Sequence, residues 1–372
     1  MSFEDPVATL RHPKATAGDE LPLPRVALGA VNRDGSFHYA KSFEDGLDDA
    51  TGTDAVHYIA SATKLVTTIA VMQCVERGLL DLDADVAKVL PEWENPQVLT
   101  GFTEDDQPIF RPSTKPITLR HFLTHSSGLA YVYMEPLLTR YAQLPIAEPR
   151  NPNTLKDKFY PFLVAEPGDR WIYSPGVDWA GRMVEQVTSQ KLGEYMKDNI
   201  FDVVSVRDAT FHLKDREDMR ARSAKAWERN DREIHVADKK PWADPVEDDL
   251  GGGGLYTTAT ELLKIYQGIL NGKLLREETV KSMFEPQLKT TVGLDNQPDH
   301  STSYRNAIFN AIPHDMPVNF GLGGLMNLAA SGMPNCYWWI DLKKGVAGVY
   351  LSQLTLTGRY ASLLEAKGDH LD

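Results

Sequence analysis

His57-Tyr58-Ile59-Ala60-Ser61-Ala62-Thr63-Lys64 runs directly into Leu65-Val66-Thr67-Thr68-Ile69-Ala70-Val71-Met72-Gln73-Cys74-Val75. The second stretch is apolar on nearly every face, which marks a buried helix rather than an amphipathic one. Ser61 stands at its mouth, and positions three apart on a helix share a side, so Ser61 and Lys64 project together. Lys64 is the only charge from Ser61 to Gln73; the next is Glu76. A lysine at the edge of an apolar helix is desolvated, which favours its neutral amine and suits it to take a proton from the adjacent hydroxyl. The helix N-terminus adds N–H groups, that of Ser61 among them, able to receive an oxyanion. Nucleophile, base and part of an oxyanion hole thus fall within four residues. Ser-x-x-Lys also occurs by chance, as a helix cap beside a surface lysine, so its meaning rests on what surrounds it.

About a hundred residues on, Glu166-Pro167-Gly168-Asp169-Arg170-Trp171-Ile172-Tyr173-Ser174-Pro175-Gly176-Val177-Asp178 reads as a Pro-Gly turn, a short aromatic strand and a second tight turn, with a helix starting near Asp178. A phenol held beside an ammonium can titrate low enough to act as a general base and to return the proton to a leaving group. Most tyrosines are core residues with a satisfied hydroxyl; Tyr173 gains weight from its pairing with Ser61 and Lys64. At the two ends the chain is β-rich. Arg25–Val31 and Ser36–Ala40 flank the turn-forming Asn32-Arg33-Asp34-Gly35, and Tyr337–Asp341 and Val346–Leu351 flank Leu342-Lys343-Lys344-Gly345. Both hairpins are expected in one antiparallel sheet with helices on its faces. The reading is a single α/β domain over 1–372, its α/β part about 1–60 and 251–372 and an inserted all-helical lobe about 61–250.

These segments resemble the superfamily of class C β-lactamases and penicillin-binding proteins, in its esterase branch. The likeness is carried in order by Ser61-Ala62-Thr63-Lys64, by Glu76-Arg77-Gly78-Leu79-Leu80-Asp81-Leu82-Asp83, by Ile117–Leu129 and by Pro167-Gly168 with Tyr173. It continues through Gly251–Thr258, Phe320-Gly321-Leu322-Gly323-Gly324 and Pro334–Asp341, so that it spans about 25–355. Within that superfamily, the segments around Ser61, His125, Tyr173 and Trp179-Ala180-Gly181 are most similar to the fungal acyltransferases that attach side chains to statin-type polyketides. The resemblance implies the β-lactamase/transpeptidase-like fold, Ser61 as nucleophile and Lys64 and Tyr173 as its proton handlers. Two departures stand out. The tyrosine motif of the β-lactamases ends in Asn, whereas here it is Tyr173-Ser174-Pro175, which disfavours β-lactam hydrolysis. The third motif, Lys-Thr-Gly or Trp-x-Gly in relatives, falls on Ala330-Ser331-Gly332, which removes both the carboxylate-gripping cation and the bulky aromatic. The resemblance then makes the amide of Met333 the second oxyanion donor, opposite that of Ser61. Ser331, Gly332, Tyr131 and Trp338 are the expected substrate-binding residues.

Composition narrows the alternatives. Lys plus Arg number 39 against 52 Asp plus Glu, a net charge of −13 over 372 residues, which argues against a duplex nucleic-acid binder or a polybasic membrane-surface protein. No apolar run approaches the ~18 residues of a membrane span. MSFEDPVATLRHPK carries acids where a secretion signal carries bases, and the two cysteines, Cys74 and Cys336, are too few for a disulfide framework; a cytoplasmic location is expected. His125 beside Ser126 and Ser127 suggests a Ser/His pair, yet sequence neighbours rarely face each other usefully, and the resemblance makes this segment a structural turn. Gly251–Gly254 lacks the Lys-Ser/Thr of a phosphate loop and reads as a close backbone approach near the site. Cys74 reads as a small buried apolar residue. His300 and His314 with Asp299 and Asp315 make only a faint metal pattern in a polar stretch, so no metal and no cofactor is expected. Tyr133 is a further aromatic candidate for an acyl pocket.

The function that follows is serine-dependent acyl transfer. Ser61 attacks an ester or thioester, an acyl-enzyme forms, and a hydroxyl acceptor or water resolves it. The expected partners are a small-molecule acyl donor, with an acyl carrier protein as a candidate carrier, and an alcohol acceptor. With almost no positive charge expected at the site beyond Lys64, and without the cation of the third motif, neutral apolar donors fit best. The alternatives are a carboxylesterase of short-chain esters and a non-catalytic binding or scaffold protein that retains the fold.

Overall fold

The computed structural model describes residues 25–44, 47–48, 52–147, 150–229, 234–240, 242–294, 317–326, 330–332 and 336–355. Both end hairpins form. Strands Val26–Asn32 and His38–Glu44 are joined through a turn in which Asn32 Oδ1 accepts from the Phe37 N–H (3.0 Å) and Asp34 Oδ1 from the Ser36 N–H (2.9 Å). Strands Cys336–Asp341 and Val346–Ser352 close over Asp341, whose Oδ1 accepts from the Lys344 N–H at 2.9 Å. The hairpins meet edge to edge, with Val26 opposite Ser352 and Asn32 opposite Val346, so the two ends of the described chain share one antiparallel sheet. Its six strands run, in spatial order, Ala330–Gly332, Cys336–Asp341, Val346–Ser352, Val26–Asn32, His38–Glu44 and Leu47–Asp48.

Helix Ala259–Leu270 packs against the two central strands, its N-terminus capped by the Thr258 hydroxyl, which accepts from the Glu261 N–H (3.2 Å). The nucleophile helix spans Thr63–Glu76, and every residue from Thr63 to Cys74 is buried, as an all-round apolar run demands. Leu65, Val66, Ile69 and Val71 are wholly inaccessible, and burying each such side chain contributes about 1.5–3 kcal/mol. The helix is enclosed by Gly176–Thr188 and Leu192–Met196, and the strand Ala330–Gly332 runs beside the turn at its N-terminus. A buried helix with a sheet edge at its mouth holds Ser61 and Lys64 in fixed positions. No helix among the described residues is long and apolar enough to cross a membrane.

One buried carboxylate ties the hairpin Gln97–Phe102/Pro108–Pro112 to the turn that launches the Tyr173 segment. Glu166 pairs with Arg111 and accepts from the Ser113 hydroxyl (2.8 Å) and the Thr114 N–H (3.1 Å). Burial pushes its pKa up, but these three donors outweigh burial and hold it at about 2. A depressed carboxylate stabilises the fold above its unfolded pKa and loses that contribution as the pH falls through the folded one. Glu166→Gln is therefore expected to cost about 1–3 kcal/mol at pH 7, with the cost shrinking between pH ~4.5 and ~2. Urea unfolding of both proteins at pH 7 and pH 3 checks it; an equal difference at the two pH values would contradict the assignment.

Candidate active site

Ser61 lies in a 3-10 turn, Ala60–Ala62, that winds into the helix at Thr63. Its predecessor Ala60 has φ +44°, a left-handed conformation costly for a residue with a Cβ and typical of a side chain held for a purpose. The tight turn keeps Ser61 and Lys64 in line: Lys64 Nζ lies within hydrogen-bonding distance of Ser61 Oγ, at 3.1 Å. On the other side of the same oxygen, the Tyr173 hydroxyl donates at 2.6 Å. Lys64 Nζ also stands 4.8 Å from the centre of the Tyr173 ring. The three residues expected to carry the chemistry are thus in mutual contact.

Main-chain bonds fix Tyr173 in place. The N–H groups of Trp171, Ile172 and Tyr131 donate to the carbonyls of Val292 (2.8 Å), His125 (2.8 Å) and Tyr173 (3.2 Å) respectively. His125 sits at φ +56°, and its Nδ1 accepts from the Ser174 N–H at 3.2 Å. Its ring lies 4.6 Å from that of Tyr173. Burial, and next the Lys64 charge, hold its pKa well below the usual imidazole value, so it packs as a neutral ring. Its sequence neighbours are engaged elsewhere, Ser126 with the Thr124 hydroxyl (2.9 Å) and Ser127 with the Leu129 N–H (3.3 Å). Gly128 completes this turn at φ +83°, where a Cβ would stand 2.1 Å from the Ala165 carbonyl oxygen.

The glycine run is the close approach expected of it. The Gly252 carbonyl accepts from Lys64 Nζ at 2.5 Å, and that of Gly251 from the Thr67 hydroxyl at 2.7 Å. The Gly252 N–H donates to Asp178 Oδ1 at 2.9 Å, and a Cβ there would fall 2.1 Å from Asp178 Oδ2. Asp178 is 3% exposed. Burial pushes its pKa up, while Lys64, Lys158 and the Gly252 amide pull it back. The Tyr131 hydroxyl receives a bond from Lys64 Nζ (3.3 Å) and donates to Asp178 Oδ2 (3.4 Å); burial first, then Asp178, raises its pKa well above the ordinary phenol.

A cleft opens over Ser61. Besides Lys64, Tyr173 and His125 it is lined by Leu123, Val177, Phe320, Leu322, Leu325 and Trp338, so an apolar acyl chain has a surface to lie on. Of the expected substrate-binding residues, Trp338 lines this cleft and is 5% exposed. Tyr131 has its hydroxyl committed to Lys64 and Asp178 and its ring stacked on Tyr133, with centroids 5.5 Å apart. Ser331 and Gly332 lie on the edge strand, opposite Tyr337 and Cys336, beside the turn that carries Ser61. Met333 lies outside the described residues, as do His300, His314, Asp299 and Asp315. Cys74 and Cys336 are both free and buried, and burial pushes the Cys336 thiol up to about 12.

Sequence reasoning singles out neither of two charged residues that interact electrostatically with Lys64. Asp178 is the sole charge between Arg170 and Arg182, the same signal that marks Lys64, and could have been found by it. Lys158, half-buried at the end of the short helix Leu155–Lys158, is near enough to interact electrostatically with Asp178 and Lys64. It adds a second cation close to Lys64 that none of the motifs contains. Burial lowers its pKa and Asp178 partly restores it. Nothing in the sequence separates it from Lys156, which pairs at the surface with Glu92 at 3.1 Å.

Known proteins show the same arrangement of chain. Residues 25–370 match the Beta-lactamase family. A lovastatin esterase of Penicillium rubens is 35% identical, the match covering 88% of each chain. A monacolin J acid methylbutanoyltransferase of Aspergillus terreus is 32% identical over 94% of this chain and 91% of its own. Among solved structures, unliganded simvastatin synthase (LovD) from Aspergillus terreus superposes with a TM-score of 0.79 at 31% identity, over 95% of this chain and 93% of that one. EstCE1, a hydrolase with promiscuous acyltransferase activity, shares the fold at 18% identity and a TM-score of 0.68. On the extent of the family match and these identities, the chain belongs to the β-lactamase family.

Proposed function

We propose that this protein is a serine acyl-transfer enzyme that takes an acyl group from an ester or thioester onto Ser61 and passes it to the hydroxyl of a small carboxylic-acid acceptor, with water as the competing acceptor. The observation that carries the reading is the bracket on Ser61 Oγ, 3.1 Å from Lys64 Nζ on one side and 2.6 Å from the Tyr173 hydroxyl on the other. Unprotonated Lys64 takes the Ser61 proton as Oγ bonds to the carbonyl carbon, and the Ser61 N–H, at the start of a helix, faces the developing oxyanion. Tyr173 gives its proton to the departing oxygen or sulfur and regains one from Lys64. Deacylation runs the same steps backwards from the acceptor hydroxyl, returning the last proton to Ser61. Met333 is the proposed second oxyanion donor, and Trp338, Ser331 and Gly332 the proposed edge of the acyl site.

Acceptor choice rests on two supports. Two of the relatives named for transfer carry an acid in their names, monacolin J acid and ML-236A carboxylate, and Lys158 is a second cation close enough to Lys64 and Asp178 to interact with both electrostatically. The esterase reading is favoured by the lovastatin esterase among the relatives. We take the protein as one catalytic domain working in the cytoplasm, with an acyl carrier protein as a candidate donor. With p-nitrophenyl butyrate as donor, adding a hydroxy acid is expected to speed p-nitrophenol release and to give the acylated acid. Release unaffected by any hydroxy acid would leave the esterase. Lys158→Met is expected to raise the KM for the hydroxy acid about tenfold, a charge-assisted contact of ~1.4 kcal/mol, and to leave that for its methyl ester within twofold.

A further inference from the structure

We propose that Asp178 is the positioning residue of this site: through the Gly252 peptide and the Tyr131 hydroxyl it holds both of the other acceptors around Lys64, leaving the amine one free direction, toward Ser61. The inference rests on the assignment of Ser61 and Lys64 given above. Lys64, Gly252, Asp178 and Tyr131 form a closed circuit, with links of 2.5, 2.9, 3.4 and 3.3 Å. Both carboxylate oxygens are used, Oδ1 by the Gly252 N–H and Oδ2 by the Tyr131 hydroxyl.

The stereochemistry explains why the circuit is needed. A neutral lysine has two N–H donors and one lone pair, and it abstracts the Ser61 proton only if that lone pair faces Oγ. The Gly252 carbonyl and the Tyr131 oxygen take the two donors, so the lone pair has only Ser61 left. Tyr131 accepts from Lys64 with its own proton turned away, and Asp178 Oδ2 receives that proton's hydrogen bond and keeps it turned. The acidic side chain therefore sets the polarity of the whole ring of bonds. Gly252 belongs to the same design, because any side chain there would collide with Asp178. After acylation begins, the proton gained by Lys64 makes a third N–H, again directed at Oγ, and the other two bonds are unchanged. The charged and titratable groups facing Asp178 are Lys64 on the nucleophile helix, Lys158 on the short helix, and the phenols of Tyr131 and Tyr58.

Single-turnover acylation by p-nitrophenyl butyrate, followed from pH 5 to pH 10, tests this in Asp178→Asn, Tyr131→Phe and the double variant. Asp178→Asn keeps an acceptor for Gly252 but turns a donor toward Tyr131, and is expected to slow acylation about 30-fold or more. Tyr131→Phe is nearly isosteric, serves if the first variant folds poorly, and is expected to slow acylation about tenfold. The double variant is no slower than Asp178→Asn, since one circuit is broken only once. Acylation by Tyr131→Phe within twofold of wild type at every pH would overturn the proposal, as would a double variant slower than Asp178→Asn by the full factor that Tyr131→Phe shows alone. A burst that persists in Ser61→Ala would instead remove the assignment of the nucleophile.

Discussion

Lys64→Met is expected to slow acylation of the enzyme about 10³-fold, within the range by which a positioned general base accelerates proton transfer. The change keeps the volume and apolar stem of a side chain that is 7% exposed, so the helix it sits on keeps its packing. What is lost is specific: the donor to Gly252, the donor to Tyr131 and the group that takes the Ser61 proton. Tyr173 remains 2.6 Å from Ser61 Oγ and supports the residual rate. Stopped-flow release of p-nitrophenol measures the effect, with thermal unfolding as the control for folding. A variant acylating within tenfold of wild type would show that Tyr173 alone manages the proton.

The second large effect belongs to a glycine. Gly252→Ala places a methyl 2.1 Å from a carboxylate oxygen that is itself buried against the Tyr131 hydroxyl. Neither side can yield cheaply. The backbone of Gly252 is held by Lys64 and Asp178 at once, and Asp178 cannot swing away without leaving a buried carboxylate unpaired. A destabilisation of about 3 kcal/mol or more is expected, together with loss of acylation. The neighbouring Gly253→Ala is the comparison, because a Cβ there meets nothing nearer than 3.7 Å, the Tyr58 hydroxyl. It is expected to stay within about 0.5 kcal/mol of the parent. Urea unfolding separates the two; equal losses would mean that the turn as a whole, and not the contact with Asp178, governs stability.

The sequence exposed the parts of this molecule that depend on local pattern. Asn32–Gly35 and Leu342–Gly345 mark their turns by composition alone, and the flanking strands extend only a residue or a few beyond the apolar runs. The nucleophile helix is legible because a run without a polar face has only one place to go. What local pattern does not contain is which distant segments meet. That Asp178 lies under Gly252, seventy-four positions away, follows from how helix Gly176–Thr188 packs against the nucleophile helix, and no spacing rule carries it. Lys158 is harder still, since Leu155-Lys156-Asp157-Lys158 reads as a solvated face on both of its lysines. Only the packed structure pairs one with Glu92 and brings the other within electrostatic reach of Asp178 and Lys64. Tyr131 shows the converse: its place near the site was legible, but its engagement with Lys64 and Asp178 depends on the direction of one hydroxyl.

The central claim is that Ser61 carries the acyl group. Intact-mass and peptide mapping after brief exposure to p-nitrophenyl butyrate, quenched in acid, tests it most directly. The account predicts one butyryl adduct, located on Ser61, abolished in Ser61→Ala and trapped poorly or not at all in Lys64→Met. An adduct on any other side chain, or one that survives in Ser61→Ala, would contradict it.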